Sequence, residues 1–403
     1  PTPTGAPPRT HWNSPAISQA LSPTCSAMRC LPTRAGVRQR FADCASNLPI
    51  RSARSRPSCK PPITSFIDSP GGSVPRPPSR SAHQVRGEYA QPILDWIGIP
   101  RDQLPPLEPR ATCHPLAASW TVGQHAHSAL NQTQVVLCGA DMACGMVGIA
   151  PSVGDAFIQA GTTEIAGALV PVDHQPARPD ALIRLPYPDG SPSDDTGELS
   201  LIYGSTSNGG MSLTWLETQL EIDLQDDALW ADAQRLPSDP AGLLFVPHIA
   251  GARAPLWRDD ATGGWVGDPA DASPARKLRA VLEGCALSKR SVLEAAGVAN
   301  PPRLLVAGGG ARRAVSNQIR AAVLNAPTVA RSATEVTAAG AIAMALDRVG
   351  PTSSHAGRRW LSQLHDAAGD RTFAPPAEHA LVYDRLYTHY LEYERRMVPQ
   401  RAR

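Results

Sequence analysis

The sequence has no apolar run that approaches the about 18–20 residues of a membrane-spanning helix. It also has no visible signal peptide and no internal repeat with a period of about 20–50 residues. These absences predict a soluble, cytoplasmic protein that does not associate with a membrane. The hydrophobic share of 42% over 403 residues is enough to build the cores of about two to three domains.

Cysteine patterns that bind metals or build disulfide frameworks are missing as well. None of the eight cysteines forms a Cys-x-x-Cys pair or lies with histidine at a metal-ligand spacing. Cys138, Cys144 and Cys285 lie in apolar contexts, so we expect them to be small buried side chains. A reducing compartment fits this pattern, and the pattern identifies no metal ligand.

Acidic residues are scarce in residues 1–85, which contain eleven Lys or Arg but only Asp43 and Asp68. This segment therefore carries a net charge of +9. Because the whole chain carries +2, residues 86–403 carry −7. The segment is also rich in Pro and Ser and has only short apolar runs, which is typical of disorder.

Three other interpretations of residues 1–85 stay open. A basic arm binds nucleic acid without sequence preference, but Trp12 and Phe41 are too sparse for base stacking, which disfavours such a partner. A transit peptide has this composition, although no amphipathic helix is evident. An out-of-frame translation joined to a genuine domain also explains the composition. We favour disorder or artefact over a binding role.

Order is predicted to begin near Glu88, and the alternation of strands and helices that follows predicts an α/β protein. A helix is predicted at 93–99, ended by Gly98 and Pro100, and a short buried strand at 135–137. The other predicted segments, in chain order, are a helix at 142–147, a strand at 155–159, a polar loop or irregular hairpin at 171–198, an amphipathic helix at 211–220, a strand at 304–307 and a helix at 312–324.

Helix signals mark three further segments. Ser273 is predicted as the N-cap of a helix with Pro274 in its first position, stopped by Gly297. Thr334 is predicted to cap a helix at 335–348. Gly340 lies inside that helix at a cost of about 1 kcal/mol relative to Ala, so we expect it to pack closely against another backbone. A core stripe without chemical function is predicted for the final helix, formed by Tyr383, Tyr387 and Tyr390.

Turns that contain glycine follow three of the predicted strands, at 139–141, 161–163 and 308–311. Glycine is kept where a backbone turns sharply or approaches a ligand closely. A strand, a glycine turn and a helix together present amides and a helix N-terminus to an anion. Each turn also has a simpler interpretation as ordinary strand-to-helix geometry, so none of them identifies a nucleotide site alone.

The side chains in these turns suggest phosphoryl transfer. Asp141 is either an ordinary residue of a helix start or a general base that takes a proton from an attacking hydroxyl. Thr162 and Thr163 follow Gly161 and suit phosphate oxygens, or they line a simple turn. Phosphoryl transfer depends mainly on positioning and on neutralising charge, with Mg²⁺ bridging the phosphates of the nucleotide.

From about Tyr89 to its C-terminus the chain resembles the FGGY family of carbohydrate kinases, and within it the xylulokinase-like members. Four segments in the same order carry the resemblance. They are the run Gly139-Ala140-Asp141-Met142-Ala143-Cys144-Gly145, the strand and turn at 155–163, the Pro247 to Pro255 stretch with Gly263, Gly264 and Gly267, and Gly308-Gly309-Gly310-Ala311 with Asn317-Gln318 on the next helix.

The resemblance implies an actin-like ATPase (ribonuclease-H-like) fold of two domains that close on ATP and a sugar. It implies that Asp141 is the catalytic base and that ATP and Mg²⁺ are the cofactors. Phosphate would bind at Gly161, Thr162 and Thr163. Adenosine would bind at Gly308, Gly309, Gly310, Ala311, Asn317 and Gln318.

Departures from the family pattern are also present. Residues 1–85 contain no Asp-x-Gly-Thr turn, and Ala252 stands where the family has Glu. Composition thus predicts a disordered segment at 1–85, and the resemblance predicts a remnant of the first domain at 86–150 and a complete nucleotide-binding domain at 151–403. Limited proteolysis is expected to leave a resistant piece near 151–395.

Two functions follow as expectations. The first is an ATP-dependent kinase that phosphorylates a hydroxyl of xylulose or a related ketose or polyol, with low turnover expected from this chain alone. The second is a catalytically inactive nucleotide-binding remnant. A small-molecule sugar is the expected partner in the first case, and a homodimer is left open. Nucleic-acid binding through the basic arm is a third, less favoured alternative.

Overall fold

The computed structural model of the protein describes residues 84–85, 88–89, 91–104, 108, 112–115, 133–187, 199–238, 242–350, 355–376 and 380–398. Nearly all of the segment predicted as disordered, at 1–83, lies outside the described residues. The described residues belong to two compact units. Those between Tyr89 and Pro105 form the first unit, and the remaining ones form the second.

The described strands are β1 (Gln84–Val85), β2 (Glu88–Tyr89), β3 (Cys113–Pro115), β4 (Gln134–Val136), β5 (Ala156–Ala160), β6 (Glu164–Pro171), β7 (Ile183–Pro186), β8 (Leu199–Ser205), β9 (Leu244–Val246), β10 (Gly264–Val266), β11 (Leu304–Ala307), β12 (Thr328–Ala330) and β13 (Arg371–Phe373). The described helices are α1 (Gln91–Ile97), α2 (Asp141–Ile149), α3 (Gly210–Leu220), α4 (Asp227–Arg235), α5 (Pro274–Ala295), α6 (Ala314–Leu324), α7 (Val336–Val349), α8 (Ala356–Ala368) and α9 (Ala380–Met397).

The first unit contains α1, which ends where the sequence predicts. The amide of Gly98 donates to the carbonyl of Leu94 at 2.8 Å, and Gly98 has a φ of 76°. That left-handed conformation is accessible to glycine without strain and closes the helix. The Arg101 guanidinium lies 4.5 Å from the centre of the Tyr89 ring, which gives this small unit a cation–π contact.

A seven-stranded sheet with the order β13-β12-β11-β5-β6-β8-β7 organises the second unit. Strands β5, β11 and β12 run parallel to one another, whereas β5, β6, β8 and β7 form consecutive antiparallel pairs. Because β5 and β11 are parallel neighbours, the turns that follow them lie at the same edge of the sheet. The topology therefore brings together two of the three predicted glycine turns.

Both faces of this sheet are covered by helices. Alternate residues of a strand point to opposite faces, so Ile158 and Val306 join the core formed with α5 and α6. Phe157 and Leu305 join the other core, which contains Met146 of α2. All four of these strand side chains are fully buried. The second unit is thus a three-layer α/β sandwich, which confirms the predicted α/β class.

Helix α5 begins as the sequence predicts. Ser273 is its N-cap and accepts a hydrogen bond from the amide of Arg276 at 3.2 Å, and Pro274 occupies the first turn. Gly297 follows the helix with a φ of 75°. The predicted start and stop of α5 are both confirmed.

Removing the cap is expected to destabilise the second unit. Ser273→Ala leaves an amide of the first turn of α5 without its side-chain partner, which costs about 1 kcal/mol. Urea unfolding followed by circular dichroism measures this loss, with Ser273→Thr as a control that keeps the hydroxyl. An alanine variant as stable as the original chain would show that solvent satisfies the amide equally well.

Helices α2 and α7 cross at unusually short distance. A Cβ on Gly340 would lie 1.8 Å from the carbonyl oxygen of Cys144, and a Cβ on Gly148 would lie 1.8 Å from that of Val336. No real side-chain carbon fits at that distance, so each helix uses glycine to admit the backbone of the other. The prediction of close backbone packing at Gly340 is confirmed.

Three other predictions need correction or refinement. The strand predicted at 135–137 exists as β4, but it is not buried, because Val135 is 43% exposed. Thr334 does not cap α7; the N-cap is Glu335, which makes no side-chain cap bond. The predicted loop at 171–198 contains the edge strand β7, which pairs with β8, while residues 188–198 lie outside the described residues. The core stripe of α9 is confirmed by the buried Tyr383, Tyr387 and Tyr390.

The helices of the described ranges were also compared with the requirements of a membrane span. None of them combines sufficient length with sufficient apolarity to cross a bilayer.

Candidate functional site

A cavity of about 300 Å³ opens where β5 and β11 end. The strand register pairs Ala307 with Gln159, so the residues that follow each strand come side by side. Helices α2 and α7 both begin at this cavity. They cross further along, where Gly148 and Gly340 each admit the backbone of the other helix. The lining residues are Asp141, Met142, Gln159, Ala160, Gly161, Thr163, Ile165, Gly308, Gly309, Thr334, Glu335, Val336 and Thr337.

Five of the predicted site residues therefore line one cavity. They come from three separate parts of the sequence: Asp141, Gly161 with Thr163, and Gly308 with Gly309. These segments are far apart in the sequence, and the fold places them around one cavity. Their convergence is the geometric condition for a single phosphoryl-transfer site.

The turn at 161–163 is held from behind by the start of α3. The carbonyl of Gly161 accepts from the amide of Gly210 at 3.0 Å, and the carbonyl of Thr162 accepts from Met211 at 2.8 Å. Thr162 does not line the cavity, although it is exposed. The anchored turn leaves the side chain of Thr163 at the cavity wall.

The loop formed by Gly308, Gly309, Gly310 and Ala311, here called the glycine loop, follows β11 directly. Gly308 has a φ of 94°, and a Cβ there would lie 2.6 Å from the carbonyl oxygen of Ala160. Both facts require glycine at this position. A Cβ on Gly309 would meet nothing within 4 Å, since this residue borders open space. Gly310 and Ala311 lie behind the cavity and do not line it.

Asn317 and Gln318 do not line the cavity either. The Asn317 side chain is fully buried, and its Nδ2 donates to the carbonyl of Ala311 at 2.7 Å. Gln318 Nε2 donates to the carbonyl of Ala374 at 3.0 Å. In this arrangement Asn317 supports the glycine loop from behind, and a direct contact of either side chain with adenosine stays a prediction.

Asp141 is the first residue of α2, after the N-cap Ala140. Its carboxylate is exposed at the cavity, and Oδ1 accepts from the amide of Met142 at 2.7 Å. The position suits both interpretations of this residue, since a carboxylate in the first helical turn is stabilised by the helix dipole. Within the described part of the chain, the other carboxylate oxygen of Asp141 has no hydrogen-bond partner.

One wall of the cavity was not predicted from the sequence. It is formed by Thr334, Glu335 and Thr337 at the start of α7, together with Gln159 at the end of β5. Gln159 Oε1 is buried and has no hydrogen-bond partner within the described part of the chain. The signal for this wall in the sequence is the polar Thr334-Glu335 pair in front of an apolar helix. That pair predicts a helix cap and does not by itself indicate a cavity wall.

The oxygen atoms that line the cavity determine whether it can bind a metal ion. Among the described residues, no three His, Cys, Asp or Glu side chains lie together as a ligand group. The carboxylates that line the cavity are Asp141 and Glu335. Magnesium needs only one or two carboxylates when substrate phosphates supply the other ligands. The oxygen donors that line the cavity therefore fit a Mg²⁺ ion that binds together with a phosphate-bearing ligand.

A buried cluster of charges lies directly behind the cavity, formed by Glu164, Lys289 and Arg320 and here called the charge cluster. Glu164 Oε2 lies 2.6 Å from Lys289 Nζ, and Glu164 Oε1 accepts from Arg320 Nη2 at 2.8 Å. Burial alone would raise the pKa of Glu164, but the two cations lower it below its usual value. The carboxylate is thus charged at neutral pH.

Part of this chain is similar in sequence to known carbohydrate kinases. Residues 156–346 match the C-terminal domain of the FGGY family of carbohydrate kinases. A glycerol kinase from Chloroflexus aggregans is 28% identical over 298 residues, which are 71% of this chain and 57% of that protein. The chain thus spans little more than half the length of this curated relative.

Two solved structures share the fold. The ligand-bound xylulose kinase from Lactobacillus acidophilus has a TM-score of 0.58 at 21% identity, covering 76% of this chain and 60% of that one. The glycerol kinase from Plasmodium falciparum with ADP has a TM-score of 0.58 at 20% identity, covering 78% and 60% respectively.

These likenesses confirm the predicted actin-like, ribonuclease-H-like α/β fold. The segment at residues 156–346 is therefore similar to the C-terminal domain of the FGGY family of carbohydrate kinases.

Proposed function

We propose that this chain carries the nucleotide-binding and phosphoryl-transfer machinery of an ATP-dependent carbohydrate kinase. The observation that supports the proposal most directly is the convergence of Asp141, the 161–163 turn and the glycine loop on one cavity. The match of residues 156–346 to a carbohydrate kinase domain agrees with it, and one solved structure of the same fold holds ADP. The acceptor would be a hydroxyl of a ketose or polyol, such as xylulose or glycerol.

In the proposed reaction, the sugar hydroxyl oxygen attacks the γ-phosphorus of ATP. A bond forms between that oxygen and phosphorus, and the bond from phosphorus to the β,γ-bridging oxygen breaks, so that ADP leaves. The hydroxyl proton passes to the carboxylate of Asp141, which acts as general base. Thr163 and the backbone of Gly161 would hold phosphate oxygens, while Gly308 and Gly309 would face the nucleoside.

Magnesium fits this proposal as a companion of the nucleotide. Glu335 would supply a carboxylate oxygen to it, and the phosphates would supply other ligands. When bound, the ion neutralises charge on the β- and γ-phosphates. The other residues of the cavity keep the roles given above: Thr163 and Gly161 would bind phosphate, and Gly308 and Gly309 would face the nucleoside.

The test is a pair of measurements on the full chain. Isothermal titration with ADP in the presence of Mg²⁺ is expected to show one site per chain. A coupled assay of ADP release is then run with xylulose, other pentuloses, glycerol and related polyols, and acceptor-dependent release supports the kinase. Absence of any nucleotide binding would overturn the proposed function.

A second candidate is a nucleotide-binding protein without kinase turnover. The chain matches little more than half the length of its glycerol kinase relative, and acceptor binding in a two-domain kinase depends on groups from both domains. ADP binding without release of ADP for any acceptor would favour this candidate. Loss of positioning removes many powers of ten in rate, so the two outcomes are well separated.

A further inference from the structure

The charge cluster connects the 161–163 turn with the glycine loop, and both of these segments border the cavity. Glu164 directly follows Thr163 and opens β6, so its backbone is continuous with the 161–163 turn. Its carboxylate accepts from Arg320 Nη2, while Nη1 of the same guanidinium donates to the carbonyl of Gly310 at 2.9 Å. One rigid, planar group thus spans from the turn to the glycine loop.

Asn317 extends this connection along the glycine loop. Its Oδ1 accepts from Arg320 Nη1 at 3.0 Å, and its Nδ2 donates to the carbonyl of Ala311 at 2.7 Å. Arg320 and Asn317 are 8% and 0% exposed, so water competes little for these bonds. Two successive carbonyls of the glycine loop are therefore held by side chains linked to Glu164.

Stability alone does not account for the cluster. Replacing a buried ion pair by packed apolar residues is often neutral or stabilising, because removing charges from water is costly. The cluster holds one carboxylate and two cations, and among the described residues no second carboxylate forms an ion pair with either cation. It therefore places excess positive charge behind a cavity suited to phosphate, and its directional bonds fix backbone geometry.

We infer that Glu164 and Arg320 are positioning residues that set the separation of the 161–163 turn and the glycine loop, and so align the phosphates and the nucleoside of one bound nucleotide. The inference rests on the proposed function for the identity of that ligand. Neither side chain lines the cavity, so both act through the backbone of the two bends.

Lys289 and Arg320 offer a matched pair of variants. Arg320→Met and Lys289→Met each remove one cation from Glu164 and leave the same net charge. Only Arg320→Met also breaks the bonds to Gly310 and Asn317. Glu164→Met, which has a similar volume and no acceptor for Arg320 Nη2, cuts the same connection and replaces Arg320→Met should that variant not fold. Glu283→Gln is an external control, since Glu283 is equally buried with Arg279 and lies outside the cavity.

Hydrogen–deuterium exchange tests the connection without any ligand. Arg320→Met, or Glu164→Met, is expected to raise exchange of the amides at 161–163 and 308–311 by about tenfold. Lys289→Met and Glu283→Gln are expected to leave both segments unchanged. Equal exchange in Arg320→Met and Lys289→Met would overturn the inference, whatever the chain binds.

Titration with ADP then tests the alignment. Arg320→Met is expected to weaken ADP binding by at least about tenfold, as a small misplacement of binding groups is costly, and Lys289→Met by less than about twofold. Faster amide exchange in the 161–163 turn and the glycine loop with unchanged ADP affinity would overturn the positioning role. Failure of the unaltered chain to bind ADP would instead reject the proposed function, and the exchange data would still decide whether the connection exists.

Discussion

Replacing Gly340 by alanine is expected to destabilise the second unit by about 3 kcal/mol, although alanine is the better helix former. In an exposed helix this substitution would stabilise by about 1 kcal/mol. Here the added Cβ would lie 1.8 Å from the carbonyl oxygen of Cys144 and 2.8 Å from the amide nitrogen of Gly148. Both contacts are with backbone, so α2 and α7 must move apart, and overpacking of this kind costs about 1–3 kcal/mol or more.

Urea unfolding followed by circular dichroism measures the effect, and the matched control is Ala338→Gly. Ala338 lies on the exposed side of α7, so its replacement by glycine reports helix propensity alone, with a loss of about 1 kcal/mol. A Gly340→Ala variant that unfolds at the same or higher urea concentration than the unaltered chain would contradict the observed crossing of the two helices.

The same substitution is expected to disturb the cavity. Asp141 begins α2, while Thr334, Glu335 and Thr337 lie at the start of α7, so the crossing sets the distance between these two walls. Separation of the helices widens the cavity at the place where the reacting groups would meet. ADP affinity of the Gly340→Ala variant, measured at a temperature where it remains folded, is therefore expected to fall.

Local signals in the sequence predicted the features that depend on local geometry. Ser273 and Pro274 identify the start of α5 because a cap and a first-turn proline act within four residues of each other. The penalty of glycine inside a helix predicted the close approach at Gly340 without revealing its partner. The motifs of the resembled family predicted which turns meet, since their order along the chain matches that family.

Features that depend on distant pairing were not predictable in this way. Glu164, Lys289 and Arg320 come from β6, α5 and α6, and each alone is an ordinary charged residue in an amphipathic context. Only the packing of those three elements shows that the charges compensate one another. The sequence predicts Thr334 as the N-cap because Thr suits that position. The N-cap of α7 is one residue later, at Glu335.

Asp141→Asn is expected to reduce acceptor-dependent ADP release by about 10²–10⁴-fold, the usual contribution of a general base. An amide keeps the size of the carboxylate and still accepts from the amide of Met142, but it takes no proton from the attacking hydroxyl. The glycine loop and the 161–163 turn are unaltered, so ADP affinity is expected to stay within about twofold. The effect thus falls on kcat and leaves nucleotide binding unchanged, provided that the chain turns over.

Asp227→Asn is the matched control, because Asp227 is also an acidic residue at the first position of a helix, α4. Both substitutions remove a favourable interaction with a helix dipole, of about 0.3–1 kcal/mol. Asp227→Asn also weakens an exposed ion pair with Arg313, but Asp227 lies outside the cavity. Unchanged turnover in Asp227→Asn and lost turnover in Asp141→Asn would assign proton transfer to Asp141. Equal turnover in the two variants would reduce Asp141 to a helix-start residue and remove the base from the proposed mechanism.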